Sequence, residues 1–123
     1  ELLELPMLPE PIVEAGPVML VDYAEPISEE LAAQFDRVIH RSNAFLMKNH
    51  GVTVCGTDGV DRTLEILEML EQEAHSVWVA ATLGAVSRIS IAEVEKLQRT
   101  LVTRKLPVPG DPRHVTSVSQ QYD

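Results

Sequence analysis

Two apolar runs, Ala44-Phe45-Leu46-Met47 and Val52-Thr53-Val54-Cys55, are separated only by Lys48-Asn49-His50-Gly51. That spacing constrains the fold more than any other feature of the chain. A parallel connection needs a dozen or more residues, so strands this close in sequence pair antiparallel, as a hairpin. Gly51 can take the positive φ that a tight reversal requires. The same geometry sets His50 at the turn, directly after one strand and directly before a glycine.

The flanks supply a strand and three helices. Val18-Met19-Leu20-Val21 is a short buried strand that closes at Asp22-Tyr23. Ser28 is an N-cap, with Glu29 and Glu30 at the positive end of the helix dipole. Leu31, Phe35, Val38 and Ile39 then form one apolar stripe of a helix running to about Arg41. Val60, Leu64, Leu67, Leu70, Ala74, Val77, Trp78 and Ala81 keep helical spacing from about residue 59 to Gly84, with Trp78 and its apolar neighbours expected in the core. Ser90-Ile91-Ala92-Glu93 is a capping-box pattern that opens a last helix through Val94, Leu97 and Leu101.

Prolines mark the ends. Pro6, Pro9, Pro11 and Pro17 make residues 1–17 read as an extended connector. Pro107, Pro109 and Pro112 stop the last helix, and residues 106–123 read as a tail without a core. The domain is expected over residues 18–105, an α/β arrangement in which helices cover a sheet. The chain opens on Glu1-Leu2-Leu3-Glu4 rather than Met, the pattern expected of a processed or internal segment.

Composition removes several function classes. Ten Lys and Arg against 19 Asp and Glu leave a net charge of −9, the opposite of the positive surface that binds phosphate backbones, so no nucleic-acid partner is expected. No apolar run reaches the ~18 residues of a membrane-spanning helix. Cys55 is the single cysteine; an internal disulfide is impossible and a reducing, cytoplasmic setting is expected. Lacking a basic or histidine partner in sequence, Cys55 reads as a small buried residue rather than a nucleophile.

Four histidines could carry chemistry: His40, His50, His75 and His114. None forms a pair at metal-ligand spacing. His40 sits at a helix end, where a cation suits the dipole. His75 lies on a helix, between its apolar and polar faces, and His114 lies in the tail. His50 differs, because a strand end holds a side chain rigidly and the following glycine leaves room in front of the ring. A single metal ligand is presented in this way, although a turn histidine is by itself an ordinary surface feature. Gly56-Thr57-Asp58-Gly59 lacks the lysine and spacing of a phosphate loop.

The stretch from Ser42 to Gly56, with Asn43-Ala44 opening the first strand and Asn49-His50-Gly51 at the turn, resembles a signature segment of the class II aldolase/adducin family. Pro17 through Tyr23 is similar to that family's preceding strand, residues 27–41 to the helix that follows it, and Leu67 through Ala74 to the glutamate-bearing helix beyond the hairpin. The resemblance spans roughly residues 17–105 and implies a three-layer α/β/α class II aldolase-like fold. This chain corresponds to its C-terminal half: strand, helix, hairpin, long helix, helix. It further implies a homotetramer with active sites between subunits, and a divalent metal, usually zinc, held by three histidines. His50 would be the third ligand; the other two, in an H-x-H, and the catalytic carboxylate belong to the half without a counterpart here.

The implied activity is a metal-dependent lyase that cleaves a carbon–carbon bond in a small hydroxy-carbonyl substrate of sugar-phosphate type, through a metal-stabilised enediolate. One imidazole cannot hold zinc against water, so these 123 residues alone are expected to be catalytically incomplete. The tyrosine that serves the family's sugar-phosphate aldolases as an acid has no equivalent around Leu8-Pro9-Glu10-Pro11, where Glu10 falls nearby. Two alternatives follow from the same resemblance: a decarboxylase of hydroxylated aromatic acids on the same metal, and a non-catalytic, adducin-like structural module.

Overall fold

A computed structural model describes residues 2–56 and 58–123. Its centre is a three-stranded sheet in the order β1-β2-β3, with β1 at Val18–Val21, β2 at Ala44–Met47 and β3 at Gly51–Val54. β1 and β2 run parallel, pairing Val18 with Ala44 and Val21 with Met47. β2 and β3 form the expected antiparallel hairpin, pairing Ala44 with Val54 and Met47 with Gly51. The reversal uses Lys48, Asn49 and His50. Asn49 takes a left-handed φ of 59°, Gly51 follows at 137°, and the His50 N–H donates to the Met47 carbonyl (3.1 Å). Asparagine tolerates the left-handed region better than most residues, and a φ of 137° is a glycine conformation.

Successive strand residues face opposite sides, and the two faces are covered by different helices. Val18, Ala44 and Leu46 pack with Ile66 and Leu70 of α3 (Val60–Leu83). Met19, Val21, Phe45 and Met47 pack with Leu31, Phe35 and Val38 of α2 (Glu29–Asp36) and the turns after it. The result is helix, sheet, helix: the layering expected of the family fold, on a small sheet. No helix among the described residues is long and apolar enough to cross a membrane.

α2 is capped as expected, the Leu31 N–H donating to the Ser28 hydroxyl (3.1 Å), but it stops at Asp36 rather than near Arg41. Residues 37–41 tighten into turns, Val38 N–H donating to the Phe35 carbonyl (2.9 Å) and Arg41 N–H to the Val38 carbonyl (2.9 Å). Asp111 N–H donates to the His40 carbonyl (2.9 Å) and the Gln121 side-chain amide to the Arg41 carbonyl (2.7 Å). These contacts fasten the C-terminal segment to the turns after α2. α4 (Ile91–Arg104) begins at Ser90, whose hydroxyl accepts from the Glu93 N–H (3.3 Å). The Glu93 carboxylate pairs with Lys96 (2.5 Å).

Both termini differ from the sequence expectation. Residues 1–17 contain a helix, α1 (Pro9–Glu14). Pro9 and Pro11 fall in its first turn, where backbone N–H groups have no intrahelical acceptor, so proline removes nothing. Ile12 and Val13 of α1 pack with Val94 and Leu101 of α4 and with Val118. Residues 106–123 therefore do contribute to a core: Pro109, Val115, Val118 and Gln121 are buried. Prolines prevent helix there without preventing burial.

The long helix also faces otherwise than expected. Its buried residues are Ile66, Leu70, Glu73 and Val77, whereas Val60 is 83% and Trp78 64% exposed. α3 has two adjacent apolar strips, and the sheet, α1 and the N-terminal turn together cover one. The strip holding Val60 and Leu64 borders β3, where an apolar groove runs along Val52, Leu67 and Ala74.

Candidate metal-ligand site at the hairpin turn

His50 is half-buried at the end of the sheet where β1 leaves it. Its Nε2 lies 2.8 Å from the Ala24 carbonyl oxygen. A carbonyl only accepts, so Nε2 carries a proton, and in the neutral ring Nδ1 keeps the lone pair. The Tyr23 ring stacks on the imidazole, centroids 5.3 Å apart and planes 14° from parallel.

Two further contacts tie the same segments together. Lys48 N–H donates to the Val21 carbonyl (3.0 Å), and Lys48 Nζ pairs with Asp22 (2.6 Å). The Lys48 ammonium holds the Asp22 carboxyl below its ordinary value. Residues 21–24 and 48–50 thus form one clasp, with His50 fixed by a hydrogen bond at one ring nitrogen and a flat ring on its face. A histidine that ligates a metal commonly donates its other ring N–H to a carbonyl in this way, which fixes its orientation. Binding through Nε2 would require the Ala24 contact to break.

The remaining candidates lie apart. The rings of His40 and His114 approach each other (5.0 Å), and His114 Nδ1 lies 3.4 Å from Asp111. Asp111 is held below its ordinary value chiefly by Arg113. His75 stands beside Trp78 on α3 (5.9 Å). Cys55 is exposed rather than buried, because it follows the last paired residue of the edge strand. Glu10 pairs with Arg104 (3.1 Å). Among the described residues no three His, Cys, Asp or Glu side chains are grouped so as to hold a metal ion. His50 fits one position of a metal site, and the described residues do not form a complete one.

Two buried carboxylates went unnoticed in the sequence. Glu14 is bridged by Arg62 and Arg104, the latter at 2.6 Å. Glu73 is 3% exposed on α3 and accepts a hydrogen bond from the Leu8 backbone N–H. Burial pushes its carboxyl up to about 7, against the lowering effect of that bond. The Tyr122 phenol is pushed up as well, by burial and then by the nearby Glu73. A signal for Glu73 existed: it occupies the apolar register Ile66, Leu70, Val77.

The family model of the Class II Aldolase and Adducin N-terminal domain matches residues 3–78. Two solved structures share the fold, both YgbL, a protein named for three candidate activities: aldolase, epimerase or decarboxylase. The Escherichia coli protein is 26% identical, with a TM-score of 0.65 over 75% of this chain and 44% of its own. The Klebsiella pneumoniae protein is 29% identical, with a TM-score of 0.64 over 76% of this chain and 44% of its own. The chain therefore spans less than half the length of the structures it matches. No curated protein matches the sequence. With the match covering well over half of its residues, the chain belongs to the class II aldolase and adducin family.

Proposed function

We propose that this chain supplies one metal ligand, His50, to the active site of a carbon–carbon lyase acting on a small hydroxy-carbonyl compound. The observation that supports this reading is the held imidazole: a turn histidine in the family's Asn-His-Gly position, with one ring nitrogen engaged by the Ala24 carbonyl and the other carrying a lone pair. The remaining donors and the acid–base groups come from polypeptide outside these 123 residues, within an oligomer. The uncovered strip of α3 is consistent with that requirement. A divalent cation, zinc by family precedent, would supply Lewis-acid stabilisation of the charge left when the bond breaks. His50 would help hold that cation, and the Ala24 carbonyl would keep its ring from rotating.

The test uses the protein expressed from its native gene, incubated with ketose 1-phosphates and with hydroxylated aromatic acids. Aldehyde release from the former, abolished by EDTA and in His50→Gln, is the expected result. Release of CO2 from the latter would move the assignment to a decarboxylase on the same site. Turnover of either class unaffected by His50→Gln would remove the proposal.

A further inference from the structure

The structure assigns Tyr23 the role of a positioning residue for His50, an inference that rests on the reading of His50 as a functional ligand and extends it to a residue 27 positions earlier in the chain. The hydrogen bond to Ala24 restrains the imidazole at one atom, and a ring held at one atom can still swing about that contact. The Tyr23 face removes this freedom. It lies nearly parallel to the imidazole at 5.3 Å, within the range at which offset aromatic pairs are favoured.

Tyr23 and Ala24 are consecutive, so one short segment provides both restraints. That segment is itself fastened to the turn carrying His50 by the Lys48 N–H on the Val21 carbonyl and by the Lys48–Asp22 ion pair. Tyr23 is nevertheless 55% exposed, too open for a residue retained for core packing alone. A large aromatic ring left half in water, flat against the one imidazole presented at the sheet end, is explained by what it does to that ring. The interaction is made by the ring face, so phenylalanine should substitute for tyrosine and an aliphatic residue should not.

The tautomer of His50 in the metal-free chain provides a readout independent of turnover. With the imidazole neutral, ring 15N and 13Cδ2 shifts of the native chain should show a single species protonated at Nε2. Tyr23→Phe should keep it, and Tyr23→Leu, with an unchanged circular dichroism spectrum, should give mixed tautomers. In the protein expressed from its native gene, Tyr23→Leu should also weaken zinc binding by roughly 10–100-fold, the range for loss of groups that orient a metal ligand. A single Nε2–H tautomer in Tyr23→Leu overturns the assignment, as does mixing in Tyr23→Phe, which would place the effect in the hydroxyl. If zinc affinity proves indifferent to His50→Ala, the ligand reading fails, while the tautomer comparison still judges Tyr23.

Discussion

Replacing Glu73 by glutamine should convert a pH-dependent fold into one that is nearly insensitive to pH between 5 and 8. The carboxyl lies inside α3's buried face, and burial raises it from 4.5 to about 7. Between those values the native state holds a proton that the unfolded chain has released. Stability is therefore fully present below about 4.5, falls as pH rises through about 7, and levels off above. The difference corresponds to ~3 kcal/mol between the two plateaus, at about 1.4 kcal/mol per pH unit. Glutamine keeps an oxygen to accept the Leu8 N–H but cannot ionise. Urea denaturation at pH 5, 6, 7 and 8 should show the native chain losing stability across this window. Glu73→Gln should exceed it by under ~1 kcal/mol at pH 5 and by ~3 kcal/mol at pH 8. Asp22 and Asp111, both lowered, complete their titration below this window. Parallel pH profiles for the two proteins would refute the argument that Glu73 is buried at a desolvating position.

Other substitutions follow from burial and pairing. Leu101→Ala removes a side chain that is 1% exposed among Ile12, Val13, Val94 and Val118, and should cost ~2–5 kcal/mol, read as a lower urea midpoint. Trp78→Ala should change stability by only about 0.5 kcal/mol by the same assay, as for most exposed positions; a loss of several times that would show that Trp78 is covered. Glu14→Ala removes the buried carboxylate between Arg62 and Arg104, which keep Glu65 and Glu10 as partners, and should cost ~1–3 kcal/mol, measured as a fall in Tm.

The parts of the fold legible in the sequence were those set by local chemistry. The hairpin followed from four polar residues between two apolar runs, and the helix starts at Ser28 and Ser90 from their caps. α1 is hidden in the sequence because dense prolines ordinarily bar a helix, whereas these fall where a helix has no N–H to lose. The burial of Val115, Val118 and Gln121 depends on contacts with α1, α4 and the turn at Arg41, which no local pattern encodes. α3 carries two apolar strips with the same period, and periodicity cannot choose between them; packing against the sheet, α1 and the N-terminal turn does.

The site divides in the same way. His50 stood out because a turn fixes its place, and the Asn-His-Gly resemblance sharpened that reading. Its orienting partners did not, since Tyr23 and Ala24 meet it only through the parallel pairing of β1 with β2. Sequence order places them on the far side of a helix. Three-dimensional pairing brings them within a hydrogen bond of the ring.

The central claim is that His50 is a metal ligand, and metal content tests it most directly. Zinc per polypeptide should be measured by mass spectrometry in the protein expressed from its native gene and in its His50→Ala form, after identical dialysis. The account predicts bound zinc in the first and its loss from the second, with the fold retained. Equal zinc in both proteins, or none in either after growth with zinc, would contradict it.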